Sequence, residues 1–186
     1  MSRAPTPPPN GEIPWKIFAC VAFGMILATL DGSIVTVALP SIRSEFSTPL
    51  ADVKWVMSIY LLVVTGLLLP FGRMADMRGQ KGVYLAGLAV FTAGSCLCAL
   101  AGSTGALVAA RAGQGVGAAM LMACSPAIVT ATFPPAMRGR GMGLLGLSVG
   151  VGLTAGPPLG GVLLEAFGWR SLFLINLPVG LAAIAY

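Results

Sequence analysis

The chain alternates long apolar stretches with short polar ones, and most of the apolar stretches are long enough to cross a lipid bilayer. A spanning helix needs about 20 mostly apolar residues. We interpret residues 15–186 as one all-α domain, a six-helix transmembrane bundle, preceded by a proline-rich tail at 1–14 that we expect to be disordered and cytoplasmic. The predicted helices lie at about 15–40, 53–71, 82–101, 105–133, 141–164 and 171–186.

Composition supports a membrane protein. Of the 186 residues, 9% are charged and 56% are apolar, whereas about 25% of the residues in a soluble domain are charged. The net charge of +5 is not gathered into one basic stripe, so we expect no nucleic-acid partner. Lysine and arginine are more frequent in alternate connecting segments, and the positive-inside rule then predicts a cytoplasmic N-terminus.

Residue types that most enzymes and metal sites use are scarce. The chain has no histidine, which excludes histidine proton relays and serine–histidine triads. The four cysteines lie in apolar stretches, where a free thiol packs as a small hydrophobe. We therefore predict no enzymatic activity, no metal site and no cofactor.

Two ionisable residues lie well inside predicted spans, Asp31 and Arg111. An ionised side chain at the centre of a spanning helix costs about 2.5–3.5 kcal/mol on insertion scales, so such residues usually have a function. Their predicted depths are similar, and we expect them to pair directly or through Gln114. A carboxylate in a low-dielectric site can carry a proton, which makes Asp31 the candidate proton carrier; a purely structural ion pair is the alternative.

The densest charge cluster joins predicted helices two and three. Shifting the chain by 89 residues aligns its glycines, acid and base with a second set that joins helices five and six. Similar turns on opposite membrane faces are expected of a three-plus-three inverted repeat, an arrangement found in secondary transporters. We interpret the first cluster as both a topology-setting loop and a cytoplasmic gate, formed by Gly72, Asp76, Arg78, Gly79 and Lys81.

Predicted helix five is unusually rich in glycine. Small residues let helix backbones approach closely, and prolines kink helices. We expect a packing surface that seals the protein against leakage, formed by Gly143, Gly152, Gly156, Pro157, Gly160 and Gly161.

These motifs resemble the N-terminal half of a major facilitator superfamily transporter. Gly72–Lys81 is similar to the family's loop motif, and the glycines and prolines of predicted helix five resemble its antiporter motif. Predicted helix four resembles another family motif through Arg111, Gln114, Gly115 and Gly117. The segments 30–40 and 169–178 resemble the drug:proton antiporter family with fourteen spans.

The resemblance implies proton-driven efflux of amphipathic, often cationic compounds across a bacterial inner membrane by alternating access. It places Asp31 and Arg111 in both proton coupling and substrate binding, with Gln114 also in substrate binding. It places Asp76 in the cytoplasmic gate and the helix-five glycines against a second six-helix half. That half would be a second copy of this chain or a C-terminal half. The alternatives are a facilitator that exports a lipid, metabolite or siderophore, and a non-transporting fragment or membrane assembly protein.

Overall fold

The structure, a computed structural model, describes residues 15–178 and 180, and every regular element among them is helical. The predicted tail and most of the second half of predicted helix six lie outside these residues. A 3₁₀ turn at Pro135–Met137 precedes the sixth helix. The α-helices are α1 (Trp15–Phe46), α2 (Leu50–Val53), α3 (Trp55–Arg78), α4 (Gln80–Ala99), α5 (Thr104–Thr132), α6 (Arg138–Phe167) and α7 (Ser171–Leu174).

Five helical segments of the described chain are long and apolar enough to cross a membrane. They correspond to the first five predicted spans, but several run further than predicted. Helix α1 continues through Pro40 to Phe46, and α6 begins at Arg138 and ends at Phe167. A proline removes one backbone donor without always ending a helix, since neighbouring groups in a bundle can satisfy the freed carbonyl.

The predicted loop between the second and third spans is mostly helix. Helix α3 extends to Arg78, so Gly72 and Asp76 lie within it, and the chain turns at Gly79. The matching turn after α6 is at Gly168, 89 residues later. These are the two positive-φ glycines of the described chain, with φ of 95° and 77°. Each of the two glycines donates its N–H to the carbonyl four residues earlier. Helices α3 and α6 therefore end in the same way, at equivalent positions of the 89-residue repeat.

Packing follows the repeat. Helix α1 packs along α6, and α5 packs along α3. The first helix of each three-helix repeat therefore packs on the second helix of the other, the exchange expected for two repeats related by a pseudo-twofold axis. The prediction of an all-α membrane fold built from two three-helix repeats is confirmed.

Glycines set the distance between α1 and α6. Gly152, Gly156 and Gly160 are buried, and a Cβ added at Gly156 would lie 2.9 Å from the Cβ of Ser33 and 3.0 Å from the backbone nitrogen of Ile34. The Ser33 hydroxyl donates to the Gly152 carbonyl at 3.1 Å. These three glycines therefore contact α1. The expectation that the helix-five glycines face a second half is wrong for them.

The other residues of that motif lie differently. A Cβ added at Gly143 or Gly161 would have no neighbouring atom within 4 Å, and Pro157 is exposed. The motif therefore divides into a surface that packs on α1 and one left open in the described chain.

We predict that Gly156→Ala lowers the free energy of unfolding by about 1–3 kcal/mol, because the added methyl group overpacks the α1–α6 contact. Thermal unfolding in detergent measures the change. Gly150→Ala is the matched control, since Gly150 is on the same helix and a Cβ there meets no atom within 4 Å. Equal destabilisation by the two substitutions would contradict this account.

Candidate functional site

Asp31 of α1 and Arg111 of α5 form an ion pair inside the bundle. The Arg111 Nη1 donates to Asp31 Oδ2, and both side chains are fully buried. A buried ion pair needs further hydrogen bonds to offset the loss of hydration. The arginine obtains one from its Nε, which donates to the Val56 carbonyl of α3 at 3.1 Å. The pair thus connects three helices.

Gln114, one turn after Arg111, contacts both partners. Its Nε2 donates to Asp31 Oδ1 at 2.9 Å, and its Oε1 accepts from Arg111 Nη1 at 2.7 Å. The structure therefore brings together the three residues singled out from the sequence. A side-chain amide can bridge two opposite charges in this way because it carries a donor and an acceptor.

Two further polar side chains complete the network and were missed as site residues in the sequence. Asn176, just after α7, donates from Nδ2 to Asp31 Oδ1 at 2.8 Å and to the Ser95 hydroxyl of α4 at 3.1 Å. Ser95 also accepts from Gln114 Nε2 at 2.6 Å. Both residues are fully buried. An uncharged amide within an apolar stretch was the available signal for Asn176.

Aromatic rings surround the arginine. The Cζ of Arg111 lies 4.0 Å from the centre of the Tyr60 ring and 5.8 Å from that of Phe173. Tyr60 is held in place by its hydroxyl, which donates to the Ala28 carbonyl of α1 at 2.7 Å. A cation over an aromatic face gains electrostatic stabilisation, more so away from water. Arg111 thus has favourable contacts besides the carboxylate.

The network lies between two apolar clusters. Along α1, Asp31 stands between Ala28 of one cluster and Ile34 of the other, and along α5 Arg111 and Gln114 stand between Leu107 and Ala118. Packing on both sides keeps the polar groups in a low-dielectric environment, where their mutual interactions are strengthened.

Two buried polar atoms of the network have no hydrogen-bond partner among the described residues. They are the Nη2 donor of Arg111 and the Oδ1 acceptor of Asn176. Leaving such a group unpaired costs about 1–3 kcal/mol. A second hydrogen-bonding arrangement, water or a polar group of a substrate would therefore be favoured here.

The cytoplasmic gate residues are not held by comparable contacts. Asp76, Arg78 and Lys81 are exposed, and within residues 15–178 no salt bridge involves Asp76. The Arg78 Nη1 lies 3.7 Å from the Met74 sulfur. A Cβ added at Gly72 or Gly79 would meet no atom within 4 Å. The gating role of this cluster stays a prediction.

A second ion pair lies at the other end of α1. Glu45 accepts from Arg170 Nη1 at 2.6 Å and from the Trp169 indole at 2.5 Å. Arg170 also donates to the Ala101 carbonyl at 3.3 Å and stacks at 4.4 Å over the Trp169 ring. Since both charged side chains are about 40% exposed, this pair contributes at most about 1 kcal/mol. It nevertheless fixes the turn that begins α7.

No group of three or more cysteine, aspartate or glutamate side chains that would suit a metal ion is found in the described part of the chain. The network instead offers one carboxylate, one guanidinium and two amides in a water-poor interior. Such a set can exchange a proton at the carboxylate and bind a charged or polar group.

We predict that Arg111→Met lowers the free energy of unfolding by about 3–5 kcal/mol, because it leaves the Asp31 charge buried without its counterion. Asp31→Asn combined with Arg111→Met should lose less than the sum of the single losses, since neither charge then remains. Chemical unfolding of the four proteins in detergent, analysed as a double-mutant cycle, measures the coupling. Strictly additive losses would show that the two residues do not depend on each other.

Comparison with known proteins gives curated relatives of similar sequence. The chain is 39% identical over 170 residues to the riboflavin transporter RibZ of Clostridioides difficile, covering 91% of this chain and 37% of that protein. It is 40% identical to the methylenomycin A resistance protein of Bacillus subtilis, covering 91% and 36%. It is 41% identical to the cephamycin export protein CmcT of Amycolatopsis lactamdurans, covering 90% and 34%. The chain thus spans little more than a third of these relatives.

A solved structure shares the fold. The crystal structure of a bacterial homolog of the human lysosomal transporter Spinster, in an inward-facing and occupied conformation, superposes with a TM-score of 0.77 at 22% identity, over 91% of this chain and 43% of that one. The family model of the Major Facilitator Superfamily matches residues 21–186. With the repeat, the glycine contacts and the buried ion pair, this match shows that the chain belongs to the Major Facilitator Superfamily.

Proposed function

We propose that this chain forms one half of a proton-coupled exporter of amphipathic, cationic small molecules, such as drugs or toxic compounds. The observation that carries the proposal is the fully buried Asp31–Arg111 pair, because an ionisable pair inside a membrane bundle is costly and usually functional. Two of the similar proteins are named for resistance or export, which supports efflux.

Asp31 is the proposed proton carrier. When it takes up a proton, its charge disappears and its bond to Arg111 weakens. Arg111 still has the Val56 carbonyl, the Gln114 oxygen and the Tyr60 ring. The arginine therefore keeps these contacts in both protonation states, which offsets part of the cost of leaving its charge without a counterion.

Substrate handling follows from the same contacts. Both oxygens of Asp31 already accept hydrogen bonds, from Arg111 on Oδ2 and from Gln114 and Asn176 on Oδ1. These three bonds use most of the roughly four acceptor sites of the carboxylate, so a cationic substrate competes with these donors for it. Proton and substrate then compete for one group, and a proton that enters from outside and is released to the cytoplasm drives export of the substrate.

A second six-helix half is part of the proposal. Two of the five long helical segments are mostly unburied. In the most apolar stretch of the α2–α3 segment 17% of the residues are buried, and in that of α6 the share is 22%. The same share is 50–56% in the other three long helices. We propose that a second half covers part of these two helices and completes a substrate site between the halves. The end of α3 around Asp76 and the turn that follows it then act as the cytoplasmic gate, with the N-terminus in the cytoplasm of a bacterial cell.

One comparison favours a second candidate. Because a similar protein is named a riboflavin transporter, export of a metabolite rather than a drug is the other function that we consider. Uptake of a panel of cationic dyes and of vitamins into inverted vesicles distinguishes the two by substrate.

We predict that Asp31→Asn reduces transport driven by a pH gradient to background, because asparagine cannot exchange a proton. The assay uses vesicles that contain the transporter with both halves. Asp52→Asn, which changes an exposed acid of α2, is the matched control and should keep normal transport. Proton-coupled transport that survives Asp31→Asn would rule out the proposed role, provided that thermal unfolding shows a folded variant.

Native mass spectrometry of this chain in nanodiscs, across a concentration series, identifies the source of the second half. We expect a dimer if a second copy supplies it and a monomer if a different six-helix half does. A dimer that forms equally well when α3 and α6 each carry a bulky charge, as in Leu69→Arg with Val162→Arg, would contradict the proposed contact surface. Both residues are exposed.

A further inference from the structure

Asn176 is the residue of the network that the proposed function leaves unexplained. Its Nδ2 donates one proton to Asp31 Oδ1 at 2.8 Å and the other to Ser95 Oγ at 3.1 Å. Its Oδ1 is buried and has no partner among the described residues. The amide therefore uses all of its donors and none of its acceptor in this arrangement.

This arrangement suits a charged Asp31 and not a protonated one. A carboxylate only accepts hydrogen bonds, whereas a protonated carboxyl group also has a proton to donate. Around Asp31, Arg111 and the amide nitrogens of Gln114 and Asn176 all donate. The Gln114 oxygen already accepts from Arg111 and from the Cys98 thiol. The acceptor left unused on these side chains is Asn176 Oδ1.

Turning the Asn176 amide over by half a turn exchanges its oxygen and nitrogen. The oxygen then lies where Nδ2 was, beside Asp31 Oδ1 and Ser95 Oγ, and accepts from both. Ser95 can make the change because a hydroxyl group donates as well as accepts. The Asn176 amide therefore makes two hydrogen bonds in either orientation, as the donor when Asp31 is charged and as the acceptor when Asp31 is protonated.

We propose that Asn176 is a positioning residue for proton exchange at Asp31, whose amide donates to the charged carboxylate and turns over to accept from the protonated carboxyl group. This inference rests on the proposed role of Asp31 as proton carrier. The titratable and charged groups that face Asp31 are Arg111 on α5, Cys98 on α4 and Tyr60 on α3. The Cys98 thiol and the Tyr60 hydroxyl donate to Gln114 Oε1 and to the Ala28 carbonyl, and no hydrogen bond among the described residues joins either of them to Asp31.

The sequence provides a selective probe, because it contains two asparagines, Asn10 and Asn176. Labelling asparagine side chains with ¹⁵N in an Asn10→Ser background leaves one labelled amide for NMR spectroscopy of the chain in nanodiscs. A ¹³C label on aspartate follows the protonation of the Asp31 carboxyl group in the same samples. Indole signals of the tryptophans report that the fold is unchanged.

We expect both amide protons of Asn176 to lose their hydrogen-bonded chemical shifts as Asp31 becomes protonated along a pH series. The midpoint of this change should equal the midpoint of the change in the Asp31 carboxyl signal. In Asp31→Leu the amide signals should not respond to pH. Leucine is used because asparagine would add a second labelled amide. Ser95→Ala, which removes one of the two partners and keeps Asp31, should retain the response for the proton that faces Asp31.

The outcomes separate the two proposals. If Asp31 changes protonation while the Asn176 amide protons stay hydrogen-bonded, Asn176 is a fixed donor and this inference is wrong, while proton exchange at Asp31 stands. If Asp31 keeps one protonation state over the whole series in which the protein stays folded, both the inference and the proposed role of Asp31 are overturned.

Discussion

The structure depends on a carboxylate and a guanidinium that are both removed from water. Separately, either charge in the interior of the bundle would cost several kcal/mol. Together they are stable only if their remaining donors and acceptors find partners, and these partners come from α3, α4, α5 and the segment after α7. The requirement fixes the relative positions of most helices, because each contributes a group at a set distance.

Close backbone approaches make this network possible. A Cβ added at Gly94 of α4 would lie 2.7 Å from the Cα of Gln114, and one added at Gly115 would lie 3.1 Å from the Tyr60 carbonyl. The absence of a side chain at these positions lets Gln114 reach Ser95 and lets the Tyr60 ring lie over Arg111. Gly94 and Gly115 thus serve the polar site, whereas Gly152, Gly156 and Gly160 of α6 pack on α1.

The sequence predicted the charged part of the site and missed most of its uncharged part. Asp31 and Arg111 were found because an ionised side chain within an apolar stretch is exceptional and is stable there mainly when it pairs with an opposite charge. Ser95 gave no comparable signal, since a hydroxyl can bond to its own helix. Asn176 lies in the segment 169–178, which was matched to a family only as a whole. A connection that contains Gly79 was predicted, but the extension of α3 up to Arg78 was not, because charged residues near a helix end look like a loop in a hydropathy pattern. The rotation of α6 about its own axis decides which of its glycines face α1. The spacing of the glycines along the sequence does not give that rotation.

The positions of these contacts divide the helices into two groups. Helices α3, α4 and α5 pack on one another, and α1 packs on α6; the segment that contains α7 contacts α1 and α6 and also packs on α4. Several polar contacts within the described residues join the two groups. Asp31 of α1 contacts Arg111 and Gln114 of α5. Asn176, just after α7, contacts Ser95 of α4, and Tyr60 of α3 donates to the Ala28 carbonyl of α1. Because α1 is held to the α6–α7 turn by Glu45 at one end and to α6 by the glycine contacts along its length, α1 and α6 resist separation. The Asp31–Arg111 pair therefore lies at the junction between the two groups, beside the packing of α1 on α5.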